Sequence, residues 1–132
     1  MEPARAGAEK AAKIQQALHG NRDDRARILR DTNRLLHPYV LRNPQLGLDE
    51  VLAIAKMSTI SPEILGQIAA EPDWAQRPDI AIALVRNPKT PTPAAVRLLD
   101  HVSAAEIRQL AKDTRTRPAV QQAARKKLFG SG

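Results

Sequence analysis

The chain has 132 residues, 42% of them apolar, with a formal charge of +7 and a pI near 10.4. That length suits one domain with a modest core, and no apolar run approaches the roughly 20 residues that a membrane span needs. Cysteine is absent, which excludes disulfides, thiolate nucleophiles and iron–sulfur sites and fits a cytoplasmic protein.

Single Phe, Tyr and Trp residues leave an aliphatic core, and ten prolines cut the chain into short pieces. Residues 1–8 are small and polar and read as a flexible N-terminus. A first helix at about 9–19 carries Ile14, Ala17 and Leu18 on one face and ends at Gly20. Asn21, with Asp24 in the first turn, opens a helix at about 22–31 that turns Ala26, Ile28 and Leu29 inward. The apolar set Leu35, Leu36, Tyr39, Val40 and Leu41 predicts a helix at about 33–42, which Pro38 either kinks or delays to His37. Asn43-Pro44 stops it, since the residue before proline is pushed out of the helical region.

The next helix runs from Asp49 to about Lys56 with Val51, Leu52, Ile54 and Ala55 buried. Ser61-Pro62 opens another, to about Glu71, with Ile64, Leu65, Ile68 and Ala69 as its stripe. Glu71-Pro72-Asp73 breaks the chain and leaves Trp74 in a connection. Helices at about 77–86, 93–100, 104–113 and 118–128 follow, the second of them opened by Thr92-Pro93. Ser103 with Glu106 three residues on reads as a capping box for the third. Residues 129–132 read as a flexible tail.

Part of the chain is written twice. Arg42-Asn43-Pro44 recurs as Arg86-Asn87-Pro88, and the apolar positions 52, 54 and 55 recur at 96, 98 and 99. Arg77-Pro78 is echoed by Arg117-Pro118. A period of about 40 residues points to stacked helical repeats, in which each unit is too small to be stable alone. The expected fold is all-α: a short α-solenoid of about nine short helices in three-helix repeats, as one domain over residues 9–128.

The residues that carry chemistry are mostly basic. Arg42 and Arg86 stand in the last turns of equivalent helices, where a cation complements the helix dipole. Read functionally, they form a ladder of cations, one per repeat. Asn43 and Asn87 are corner residues whose side chains satisfy backbone groups near the break. Arg22, Arg25, Arg27, Arg30 and Arg34 form a dense run. They pair locally with Asp23, Asp24 and Asp31, or they grip phosphate or carboxylate by paired hydrogen bonds. Arg125, Lys126 and Lys127 lie near a helix C-terminus, with the same two readings.

Nucleic acid or an anionic nucleotide-like ligand is therefore the alternative partner, bound through Arg22, Arg25, Arg42, Arg86, Arg125, Lys126 and Lys127. Against it, the aromatic platforms that grip single strands are missing. His19, His37 and His101 are scattered and no glycine-rich phosphate loop is present, so neither a metal, a cofactor nor catalysis is expected.

The triplet plan resembles armadillo and HEAT repeats, and the run NPKTPTPAAVRLL at 87–99 resembles bacterial leucine-rich-variant repeats. With ALHGNRDDRARILRDTNRLL at 17–36 and the two Asn-Pro corners, the chain over about 14–128 is similar to uncharacterised bacterial helical-repeat proteins. The resemblance implies a non-catalytic scaffold that binds a protein partner on a groove lined by third helices. On the positions of this chain, that groove implies Arg27, Gln67 and Gln109 as a polar ladder, with Arg30, Arg34 and Lys112 beside it. The same positions also fit plain solvated faces opposite the core stripe. Self-association through an uncapped apolar end is a further possibility.

Overall fold

The computed structural model describes residues 3–130. Among these the chain is all-helical, with ten α-helices, two short 3-10 turns and no strand. Contacts group the chain into two compact units, Met1–Gly47 and Leu48–Gly132.

The first unit comprises α1 (Pro3–His19), α2 (Arg22–Arg30), a 3-10 turn (Arg34–Leu36) and α3 (His37–Leu41). Helix α1 starts well before the expected residue 9, because the alanine-rich run through residue 12 is good helix material and nothing in it stops a helix. Of the ends read as flexible, residues 1–2 and 131–132 lie outside the described residues, while α1 and the last helix cover most of the rest.

Asn21 and Asp24 form a complete capping box, each side chain accepting the other's backbone N–H. Proline 38 sits in the first turn of α3, where its missing donor is harmless, and the helix is delayed to His37. The preceding 3-10 turn leaves Leu35 73% exposed, contrary to its reading as part of the apolar face.

Ala17, Ile28, Leu29, Leu36 and Val40 make a small core, and polar side chains supplement it. Buried His37 brings Nε2 to the carbonyls of Ile28 (3.1 Å) and Asp31 (3.3 Å), so that nitrogen carries the proton. Buried Arg25 donates to Gly20 O at 2.8 Å and Gln45 O at 3.5 Å. Asn43 donates to Ala17 O and Gly20 O, both at 3.1 Å.

Gly20 is where these bonds converge, and a Cβ there would stand 2.3 Å from Gln16 O and 2.8 Å from the Asp24 side chain. Gly20→Ala is expected to lower the stability of this unit by more than about 1 kcal/mol, since a backbone atom must move. Amide exchange over residues 7–47 measures it; protection equal to wild type would refute the expectation.

The second unit comprises α4 (Leu48–Ala55), α5 (Pro62–Ala70), α6 (Pro72–Ala75), α7 (Pro78–Arg86), α8 (Thr92–Leu98), a 3-10 turn (Leu99–His101), α9 (Ala104–Lys112) and α10 (Pro118–Phe129). Helix α7 is its centre. It packs on α4, α5, α6, α8 and the 3-10 turn, and buries Ile80, Ala81, Ala83, Leu84 and Val85. Val51, Ile54, Ile60, Ile64, Leu65, Ile68 and Leu99 complete that core, and α10 lies on α8 and α9 through Val120 and Ala124.

Helix α6 replaces the expected break around Trp74. Proline 72 occupies its first turn and the Glu71 carboxylate accepts from Asp73 N, so the signals read as a stop also start a helix. Ser61 caps α5 as expected, accepting from Ile64 N. Thr92 does not cap α8, because it lies inside the helix, with Pro91 before it.

The helix ends recur in kind. Asn21, Ser61 and Ser103 each accept the N–H three residues on, and each opens a nine-residue helix. Those helices end at Asp31, Glu71 and Asp113, whose carboxylates each accept the N–H two residues on. The two Asn-Pro corners use the same kinds of bond, although the two acceptor carbonyls lie three residues apart at one and two apart at the other. Asn87 donates to Ala55 O and Met57 O and accepts from Lys89 N, while Asn43 donates to two carbonyls and accepts from Gln45 N.

Candidate functional site

Two clefts open in the second unit and share Arg86 and Pro88. The first, about 410 Å³, is lined by Leu52 of α4 and Lys56 just after it, by Ile82, Ala83 and Arg86 of α7, and by Asp79 and Glu106. Leu52, Ile82, Ala83 and Pro88 are the apolar part of its lining. Leu52, expected in the core, is only half-buried, because α4 meets α7 through Val51, Ile54 and Ala55. The charged residues of this cleft balance, two cations against two anions.

The second cleft, about 360 Å³, runs past Gln109 and Leu110 of α9 to the corner at Asp113, Arg115, Thr116 and Arg117. Here three guanidinium groups, those of Arg86, Arg115 and Arg117, face one carboxylate.

Each of these charges is held differently. Arg86 pairs with Glu106 at 2.5 Å, and both groups remain substantially exposed. Glu106 thereby leaves the capping box incomplete. Its backbone N–H bonds Ser103 Oγ as expected, but its carboxylate is at Arg86. Arg115 donates through Nε and Nη2 to Asp113, which holds that carboxyl below its ordinary value of 3.8 and raises the guanidinium.

Arg117 reaches back from the start of α10, donating through Nη1 to Thr90 O at 2.6 Å and, longer, to Thr92 Oγ1. Its Nη2 is buried and has no hydrogen-bond partner, and burial lowers its proton affinity.

Of the residues singled out in the sequence, Arg86 and Gln109 line these clefts. Gln67 and Lys112 are exposed and line neither of these two clefts. In the first unit Arg27 pairs with Asp24 at 2.7 Å, three residues apart, rather than with Asp23 or Asp31 four apart. The Asn21 backbone N–H first, and Arg27 after it, hold the Asp24 carboxyl below the ordinary carboxylate value. Arg22, Arg30, Arg34 and Arg42 are exposed, and Arg25 is buried against the corner carbonyls described above.

The C-terminal cluster serves another helix's end. Arg125 Nε donates to Ala111 O, and Gln121 to Ala111 O and Asp113 O, so α10 caps the free carbonyls of α9. Lys127 pairs with Asp100, lowering that carboxyl's titration, and Lys126 is exposed.

Glu106, Arg115, Arg117, Lys56 and Ile82 were not distinguishable in sequence as parts of a site. The Arg77-Pro78 and Arg117-Pro118 echo marks a repeat position, but only folding brings Arg117 to Thr90, 27 residues away. Among the described residues no group of three or more His, Asp and Glu is placed to hold a metal ion, and no helix is long and apolar enough to cross a membrane.

These features define an all-helical protein in which several polar side chains bind helix ends and two clefts are lined by residues of α4, α7 and α9 and the corners beside them. The chain matches no family model, no curated protein and no solved structure.

Proposed function

We propose that this chain is a non-catalytic binding module, a short α-solenoid of three-helix repeats that holds a protein partner in the two clefts of residues 48–132. The recurring caps and the matched Asn43 and Asn87 corners support the repeat reading, since a device repeated at a period of about 40 residues is what stacked units require. The observation that carries the binding reading is the pair of clefts that share Arg86 and Pro88 and are lined by apolar side chains together with charged ones. That is the composition of a recognition surface with an apolar centre and polar rim.

The test is quantitative pull-down from an extract of the native host. Ile82→Glu is expected to lower recovery of a specific partner by at least about fivefold, and Lys126→Glu to leave it unchanged. Equal recovery of every protein by wild type, by Ile82→Glu and by alanine variants at Arg27, Arg30, Gln67 and Gln109 would overturn the reading.

A further inference from the structure

We propose that the two clefts take one extended peptide segment, with an apolar side chain in the first and an adjacent acidic side chain in the second. The inference rests on the binding-module reading and names the chemistry of the partner. The first cleft offers Leu52 and Ile82, both half-buried, and its charges balance, so it favours an uncharged side chain. The second has three guanidinium groups against the single Asp113 carboxylate. Asp113 is already engaged by Arg115, which leaves Arg86 and Arg117 as the groups toward which an incoming carboxylate is drawn. Arg117 is tied by Nη1 to Thr90 O and its Nη2 is buried, so it adds positive charge beside the cleft, while the exposed Arg86 is the group a ligand carboxylate can reach.

Glu106 is the internal competitor. Its carboxylate holds Arg86, the residue common to both clefts, in the position a ligand carboxylate would take. Removing the Glu106 charge therefore frees Arg86 and removes a like charge from the path of an acidic ligand. Removing Arg86 has the opposite effect. A balanced, apolar first cleft without an aromatic platform favours a peptide over a nucleic-acid strand.

The experiment is selection of random dodecapeptides displayed on phage against the full chain, followed by binding of the best synthetic peptide. Selected sequences are expected to place Asp or Glu within a few residues of Leu, Ile, Val or Met. Changing that acid to its amide, or Arg86→Gln in the protein, should weaken binding by at least about fivefold, while Glu106→Gln tightens it by about threefold. Both altered residues are surface-exposed, and thermal melts check that the variants remain folded.

Peptides that bind without an acid requirement, or equally to wild type and Arg86→Gln, overturn this inference and leave the binding module standing. Tighter binding by Arg86→Gln, or weaker binding by Glu106→Gln, overturns it likewise. So does selection of no peptide, or a short single-stranded DNA that binds more tightly than any selected peptide and displaces it.

Discussion

Asn87→Asp is expected to destabilise residues 48–132 by about 3 to 5 kcal/mol at neutral pH, although the two side chains are nearly the same size. Asn87 is 5% exposed, and its amide donates to Ala55 O and Met57 O, both at 2.9 Å. A carboxylate has no donor, so both carbonyls lose their partner and face a buried negative charge instead. Each unsatisfied buried group costs about 1–3 kcal/mol, a large share of the 5–15 kcal/mol by which domains are ordinarily stable.

The sign with pH follows. The Lys89 N–H still serves one oxygen, but burial and the two facing carbonyls raise the introduced carboxyl's pKa, so the penalty is full above that value. It shrinks as pH falls and the neutral acid regains one O–H donor. Urea unfolding at two pH values measures this. A penalty below about 1 kcal/mol, or one that grows on acidification, would show that the amide does not hold this corner. Asn43→Asp should act in the same way on the first unit, because its amide makes the equivalent pair of bonds.

Leu84→Ala is expected to cost the second unit about 3 to 4 kcal/mol. Leu84 is 0% exposed in the last turn of α7, the helix on which α4, α5, α6 and α8 all pack. Truncation removes apolar burial and leaves a cavity that Ala81 and Ala83, already minimal, cannot fill. Leu35→Ala is the control, since a side chain 73% exposed should change stability by less than about 0.5 kcal/mol. Chemical denaturation of both variants decides the matter. Equal effects would mean that α7 is not the centre of this unit.

Corner chemistry was legible because it is local. A cap joins a side chain to an N–H two or three residues on, so Asn21, Ser61 and Ser103 could be identified without knowing what packs where. Asn43 and Asn87 were recognisable as corner residues for the same reason, and their long-range donor bonds only strengthen that role. The clefts were less legible. Arg86 and Gln109 stood out through repeat position, but Glu106 read as a cap residue and Leu52 as core. Both follow equally well from their local sequence, and a neighbouring helix settled which of two compatible environments each received.

By itself, then, the sequence determined that this protein is helical, where most of its helices begin and end, and that two corners are built alike. Those properties depend on backbone preferences and hydrogen bonds spanning a few residues. Only the tertiary structure decided that Glu106 meets Arg86 20 residues away, that Arg117 secures Thr90, and that α10 caps α9. Long charged side chains have several partners within reach along their own helix, and packing selects the one that is used.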